Sequence, residues 1–331
     1  MNDHLTKKTR EYLLLPPEER ALLCYRDVWV PHPYGIALTE CAKLLVSLPR
    51  VKANPGMAVV GAPGVGKSRL AQRWSEESFS DTGGWAGKVM YIDLSNRKKG
   101  VDLEKRFLQE LGMIVRGKAY TFSPRDYAEA QQAVRRLNIR AVIFDEAHGL
   151  DRRMTSQRLH NMFEALKGFS NQAWGLNVIL CGILELRDML EIDDQIQSRY
   201  GHRTTELPEW ENDNLLASFI ASFMCYMPLQ LPSDVSSTIF LNELYSLASP
   251  ANFGAKTLEG KKYRARSKNS SLRTMVDILM EACRYAIVSG EEYIDVVSIK
   301  TAVARLSGKI NVPQAQALLI QNARVALATS E

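Results

Sequence analysis

Two stretches of this chain carry residue types at spacings suited to chemistry. Gly61-Ala62-Pro63-Gly64-Val65-Gly66-Lys67-Ser68 satisfies the phosphate-loop pattern, in which a glycine, four residues and then Gly-Lys-Ser follow one another. The glycines let the backbone curl so that several N–H groups point inward at phosphate oxygens. A helix beginning there adds the positive end of its dipole. Lys67 is expected to neutralise the β- and γ-phosphates of ATP, with Arg69 just beyond it, and the Ser68 hydroxyl to ligate Mg²⁺. The second stretch, Ala141-Val142-Ile143-Phe144-Asp145-Glu146, brings two acids to the end of an apolar run. Ligands of open α/β sheets bind at such strand ends. Asp145 is expected to hold Mg²⁺ through water, and Glu146 to orient and polarise an attacking water. Together the stretches imply magnesium-dependent ATP hydrolysis. Two solvated acids at a strand end would be the plain alternative, but they would leave the intact loop unexplained.

The elements around these stretches supply the required context. Met57-Ala58-Val59-Val60 reads as a buried strand leading into the loop, and Val89–Ile92, Ala141–Phe144 and Val178–Leu180 as further strands, with a weaker fifth near Thr204–Leu207. Leu159, Met162, Phe163 and Leu166 repeat at helical spacing, and Ser123-Pro124-Arg125-Asp126 reads as a helix start. Strand–helix alternation predicts an α/β fold, a parallel sheet with helices on both faces. After Pro208 only helical spacings remain, such as Leu215, Leu216, Phe219 and Phe223, so a small all-helical domain follows. The expected divisions are an N-terminal helical extension over 1–50, the sheet domain over 51–207, the helical domain over 208–310 and a tail over 311–331. In the extension, Pro16-Pro17-Glu18-Glu19-Arg20 suits one helix start and Ala37–Leu48 a second helix.

Composition narrows the class. The 331 residues are 46% hydrophobic, and 42 Lys and Arg against 37 Asp and Glu give a formal charge of +5. That balance permits nucleic-acid binding without requiring it. Cys24, Cys41, Cys181, Cys225 and Cys283 form no CxxC pair, which argues against a metal site or disulfides and fits a reducing, cytoplasmic setting. No run of 18 apolar residues occurs, so no membrane partner is expected.

Asp145-Glu146-Ala147-His148 also invites a helicase reading, but no second nucleotide-binding sheet follows, and an ABC-type ATPase lacks its Leu-Ser-Gly-Gly-Gln stretch here. The phosphate loop, acid pair, following strand and helical domain together resemble AAA+ ATPases, in which the helical domain is a lid. The resemblance implies that Arg199, in Gln197-Ser198-Arg199-Tyr200, is an arginine finger reaching a neighbouring subunit's nucleotide, with Arg203 in reserve. It also implies that Arg273, in Ser271-Leu272-Arg273, touches the phosphates as a second sensor. The chain departs from the family at the fourth strand, where Val178-Ile179-Leu180-Cys181-Gly182 offers a weakly bonding thiol in place of Asn or Thr. Asn177 and Glu185 are the distant substitutes, and hydrolysis that is slow or stimulated by a partner follows.

Trp29-Val30-Pro31-His32-Pro33, with Leu44-Leu45 and Pro49-Arg50 ahead of the loop, resembles the TniB/TnsC branch over residues 20–305. That resemblance implies an ATP-dependent regulator of DNA transposition. Such proteins assemble as rings or spirals on double-stranded DNA and link a TniQ-type target-selection protein to transposase subunits. Contacts to duplex would be mainly to phosphates and independent of sequence. The candidates are Arg97, Lys98 and Lys99 after the second strand, and Arg116, Lys118 and Thr121 beyond the next helix. The basic stretch 256–273 is a third, and each reads equally as a solvated charge cluster. Two rivals share the motifs: a replication initiator or clamp loader, and a signalling NTPase that binds only protein. An initiator's appended DNA-binding module would need more than the roughly 25 residues after Leu306.

Overall fold

The computed structural model describes residues 3–80, 82–95, 102–117, 123, 126–147, 156–249 and 270–307. In chain order the elements are α1 (Lys7–Tyr12), α2 (Pro17–Leu23), α3 (Pro33–Ser47), β1 (Met57–Val60), α4 (Lys67–Phe79), β2 (Lys88–Asp93), α5 (Leu103–Arg116) and α6 (Tyr127–Arg136). They continue with β3 (Ile139–Asp145), α7 (Ser156–Ser170), β4 (Asn177–Gly182), α8 (Glu185–Leu190), α9 (Asp194–Tyr200) and β5 (Thr204–Glu206). Then come α10 (Asn214–Met224), α11 (Thr238–Leu247), α12 (Leu272–Ser289) and α13 (Val296–Leu306). They form two compact units, one of Pro31–Glu209 and one of Met1–Val30 with Trp210–Glu331.

In the first unit five parallel strands lie in the order β2-β3-β4-β1-β5. Residues Ala141–Asp145 of β3 are all buried, as expected of a strand covered on both faces. One face packs Val142, Phe144, Val178 and Leu180 with Phe107 of α5, Val134 of α6 and Phe163 of α7. Each such side chain contributes about 1.5–3 kcal/mol by leaving water. Trp74 of α4 is also buried and donates to Thr39 Oγ1 of α3 at 2.8 Å, so α3 belongs to this unit.

Among the described residues of the second unit, helices are the only regular elements. Phe219, Ile220 and Phe223 of α10 pack with Leu244, with Met275, Ile278 and Leu279 of α12 and with Ile299 of α13. Ala21 and Cys24 join the same cluster. Arg20, 2% exposed, donates to Glu292 Oε1 at 2.5 Å and Oε2 at 2.8 Å, and to the Pro228 carbonyl at 3.1 Å. The expected single extension over 1–50 is therefore divided at Val30. The apolar side chains of α2 match the helical core, whereas Leu45 and Val46 of α3 are buried in the sheet unit.

Local chemistry moves one helix start from where the sequence puts it and keeps another. Helix α3 begins at Pro33, ahead of Ala37, because His32 Nδ1 accepts from the Gly35 N–H at 3.2 Å and caps it. Burial pushes the His32 pKa down, so the ring stays neutral and able to accept. Helix α6 begins at Tyr127, and the turn leading into it starts at Ser123 as expected: the Asp126 N–H donates to the Ser123 carbonyl at 2.9 Å, and Asp126 Oδ2 accepts from the Ser123 N–H and hydroxyl. All five cysteines are free, with Cys24, Cys181 and Cys283 buried. No described helix is long and apolar enough to cross a membrane.

Candidate nucleotide site

The loop between β1 and α4 owes its path to its glycines. At Gly61 a β-carbon would stand 2.6 Å from the Leu207 carbonyl oxygen, so no side chain fits. Gly66 caps α4 at φ +109°, a conformation that disfavours side chains. Ala62 and Val65 are buried beneath the loop, while Pro63 and Gly64 stand at its tip. Lys67, 7% exposed, donates to the carbonyls of Gly61 and Ala62, both at 2.8 Å. Its ammonium is thus folded back against the loop, and Ser68 follows it in the first turn of α4.

Strand order sets the rest. The registers place Val60 beside Gly182 and Phe144 beside Leu180. The phosphate loop and the acid pair thus leave the same edge of the sheet on either side of β4. Two inter-strand steps separate them, about 10 Å. Asp145, 2% exposed, accepts from Tyr91 Oη at 2.8 Å on Oδ2 and from the Glu146 N–H at 2.9 Å on Oδ1. Gln72 Nε2 donates in turn to Tyr91 Oη at 3.4 Å. Burial, then the Asp145 charge and hydrogen bond, push the Tyr91 phenol well up, so it remains a donor. Glu146 adopts φ +58°, a left-handed conformation costing on the order of 1 kcal/mol that turns the chain sharply just after the carboxylate.

Cys181 occupies the middle strand between the two groups. Burial pushes its thiol well up, the Asp145 and Glu146 charges add to that, and only Lys67 opposes them. A neutral thiol therefore stands where the resemblance leads one to look for Asn or Thr. Asn177 cannot replace it, because it lies at the opposite end of β4 and donates to the Pro55 carbonyl at 3.0 Å. Glu185 opens α8, half-buried.

The arginines separate. Arg69 pairs with Glu76 at 3.3 Å along α4. Arg199, half-buried on α9, donates to the Lys167 carbonyl at 3.3 Å, and its own carbonyl accepts from the Gly56 N–H at 3.2 Å. Gly56 precedes β1, so Arg199 sits roughly 15 Å of strand from its own phosphate loop. Arg203 is exposed in the 3₁₀ turn Gly201–Arg203. Arg273 is exposed in the first turn of α12, in the helical unit. Arg116 ends α5 and pairs with Glu129 at 3.0 Å. Arg97, Lys98, Lys99, Lys118, Thr121, His148, the stretch 256–269 and the tail from 308 lie outside the described residues.

Sequence reasoning missed Tyr91 and Gln72. Tyr91 reads as one more member of an apolar strand, and only the pairing of β2 with β3 brings its hydroxyl to Asp145.

A family profile described as Bacterial TniB protein matches residues 20–212, more than half of the chain. No curated protein sequence matches it. Among solved structures, the Aeropyrum pernix ORC1 protein superposes with TM-score 0.57 at 17% identity, over 86% of this chain and 69% of that one. Cdc6p of Pyrobaculum aerophilum gives 0.54 at 14% identity over 82% and 67%, and the A. pernix ORC2 protein 0.53 at 15% over 86% and 71%. At such identities the likeness is one of fold. With its five-stranded parallel sheet, its phosphate loop and its acid pair, the chain has the AAA+ ATPase fold and belongs to the TniB family.

Proposed function

We propose that this protein binds and hydrolyses ATP with Mg²⁺, assembles with copies of itself on duplex DNA, and regulates transposition by linking a TniQ-type target selector to transposase subunits. The observation that carries the reading is the placing of the phosphate loop and the acid pair on one sheet edge about β4. Membership of the TniB family supports the transposition context. The similar A. pernix ORC1 protein was solved in complex with DNA, which supports a duplex partner.

The donor set suits a hard cation. Asp145 and the Ser68 hydroxyl supply oxygen only, as Mg²⁺ prefers when phosphates and water complete its shell. The bound ion would neutralise phosphate charge during transfer. Tyr91 holds the Asp145 carboxylate in one orientation. Lys67 would exchange the carbonyls of Gly61 and Ala62 for phosphate oxygens. Glu146 would orient the attacking water, and Arg199 would serve the neighbouring protomer's nucleotide. With Cys181 in place of an amide or hydroxyl, turnover is expected to be slow until a partner stimulates it.

The test is assembly, read by analytical ultracentrifugation with a slowly hydrolysed ATP analogue and a random-sequence duplex. Assemblies should need both ligands, and Lys67→Ala and Arg199→Ala should each abolish them. Arg199→Ala alone should keep nucleotide binding. Replacing Arg97, Lys98 and Lys99 by alanine should weaken duplex binding equally on unrelated sequences and reduce its salt dependence. A protein that stays monomeric under every condition, or binds no duplex, contradicts the proposal; the latter favours a protein-binding NTPase.

A further inference from the structure

The opposite edge of the sheet, where the strands begin, has a different electrostatic character. Four of the segments that form it, 48–56, 84–88, 135–140 and 171–176, contain Arg50, Lys52, Lys88, Arg135, Arg136 and Arg140, and no aspartate or glutamate. The whole chain is nearly balanced, so this is local segregation of charge.

Three of the arginines come together. Arg50 donates to the Ile139 carbonyl at 2.9 Å and rests its Cδ on Gly175. Arg140 donates to the Leu48 carbonyl, and its stem lies over Gly87, where a β-carbon would come within 2.0 Å of Cγ. Arg135, exposed at the end of α6, reaches the Ala173 carbonyl at 3.3 Å. The charges of Arg140 and Arg135 both act against that of Arg50, whose burial already opposes it. None of the three pairs with a carboxylate of the described residues, and the Nε atoms of Arg50 and Arg140 are buried without a hydrogen-bond partner.

Like charges held together by packing are costly, and an anion on the exposed side of the cluster would offset them. A guanidinium fork matches phosphate oxygens in particular. The patch has little to anchor a peptide, since protein interfaces rest on buried aromatic and aliphatic anchors and only Val51 is a large exposed apolar residue in these segments. Phosphodiester binding needs no such anchor.

We infer that the amino-terminal edge of the sheet is a second nucleic-acid contact, in which Arg50 and Arg140 hold a backbone phosphate and Arg135 a neighbouring one. This inference rests on the duplex-binding reading above. It adds a site on the sheet edge away from the phosphate loop, built from residues remote in sequence.

The experiment measures duplex affinity by fluorescence anisotropy between 50 and 200 mM salt for the wild type, for Arg50→Gln with Arg140→Gln, and for Arg135→Glu with Lys52→Glu. The second pair alters only exposed side chains, so it tests the patch even where the first pair fails to fold. Each variant is expected to bind every sequence more weakly. The slope of log K against log salt should fall by about 1 in each, at roughly 0.9 per phosphate lost. Binding of a fluorescent ATP analogue should be unchanged. If the wild type binds no duplex, the functional reading fails together with this inference. If the wild type binds but the exposed pair leaves affinity and slope as they were, the inference alone fails. Displacement of the labelled duplex from the wild type, and not from the variants, by poly-glutamate as effectively as by unlabelled duplex would assign the edge to an acidic peptide and overturn it too.

Discussion

Tyr91→Phe removes one oxygen from the nucleotide site and leaves the ring in place. In the structure that oxygen donates to Asp145 Oδ2 at 2.8 Å and accepts from Gln72. Asp145 is 2% exposed, so water cannot readily replace the lost donor. A hydrogen bond to a charged acceptor contributes about 1.5–3 kcal/mol. For a unit of this size that corresponds to a fall in Tm of roughly 3–12 °C. A stability change alone would not establish a role in metal binding. Residues that orient a metal ligand typically change metal affinity by about 10- to 100-fold when removed. The decisive assay is therefore a Mg²⁺ titration at saturating fluorescent ATP analogue, compared with analogue binding in EDTA. Tyr91→Phe should weaken the apparent Mg²⁺ affinity by about 10- to 100-fold and leave binding in EDTA unchanged. A lowered Tm with an unaltered Mg²⁺ response would reduce Tyr91 to a packing residue and refute the reasoning.

Two further predictions concern turnover and acid stability. Glu146→Gln should lower ATP turnover by about 10²- to 10⁴-fold while keeping nucleotide bound, measured by phosphate release and by retention of radiolabelled ATP; normal turnover would remove Glu146 from its role. In the helical unit, burial pushes the Asp295 carboxyl up, but hydrogen bonds from the Ser298 N–H and hydroxyl outweigh it and hold the pKa below its ordinary value. The folded pKa is thus below the unfolded one. Its stabilisation is complete above the unfolded value and is lost as pH falls through the folded value. Asp295→Ala should cost about 1 kcal/mol at pH 7, in denaturant melts, and progressively less below about pH 4; a difference that persists undiminished in acid would contradict this.

Much of this site could be read from local sequence, for physical reasons that are themselves local. A glycine pattern ahead of Gly66-Lys67-Ser68, with an apolar run before it, dictates strand, loop and helix from neighbours alone. The same holds for Asp145 and Glu146 at the end of β3 and for the helical spacing after Pro208. Local competition set the limits: His32 moved the start of α3 ahead of Ala37 by capping it with a ring nitrogen that composition does not rank.

Tertiary structure decided what depends on residues far apart in the chain. The order β2-β3-β4-β1-β5 places the buried thiol of Cys181 between Lys67 and the acids and brings Tyr91 to Asp145. The ion pair of Arg20 with Glu292, 272 residues away, divides the N-terminal region, because a buried charge must follow its partner. Arg50, Arg135 and Arg140 look like scattered surface cations in sequence. Parallel crossovers return each strand to the same edge, and that geometry alone gathers them.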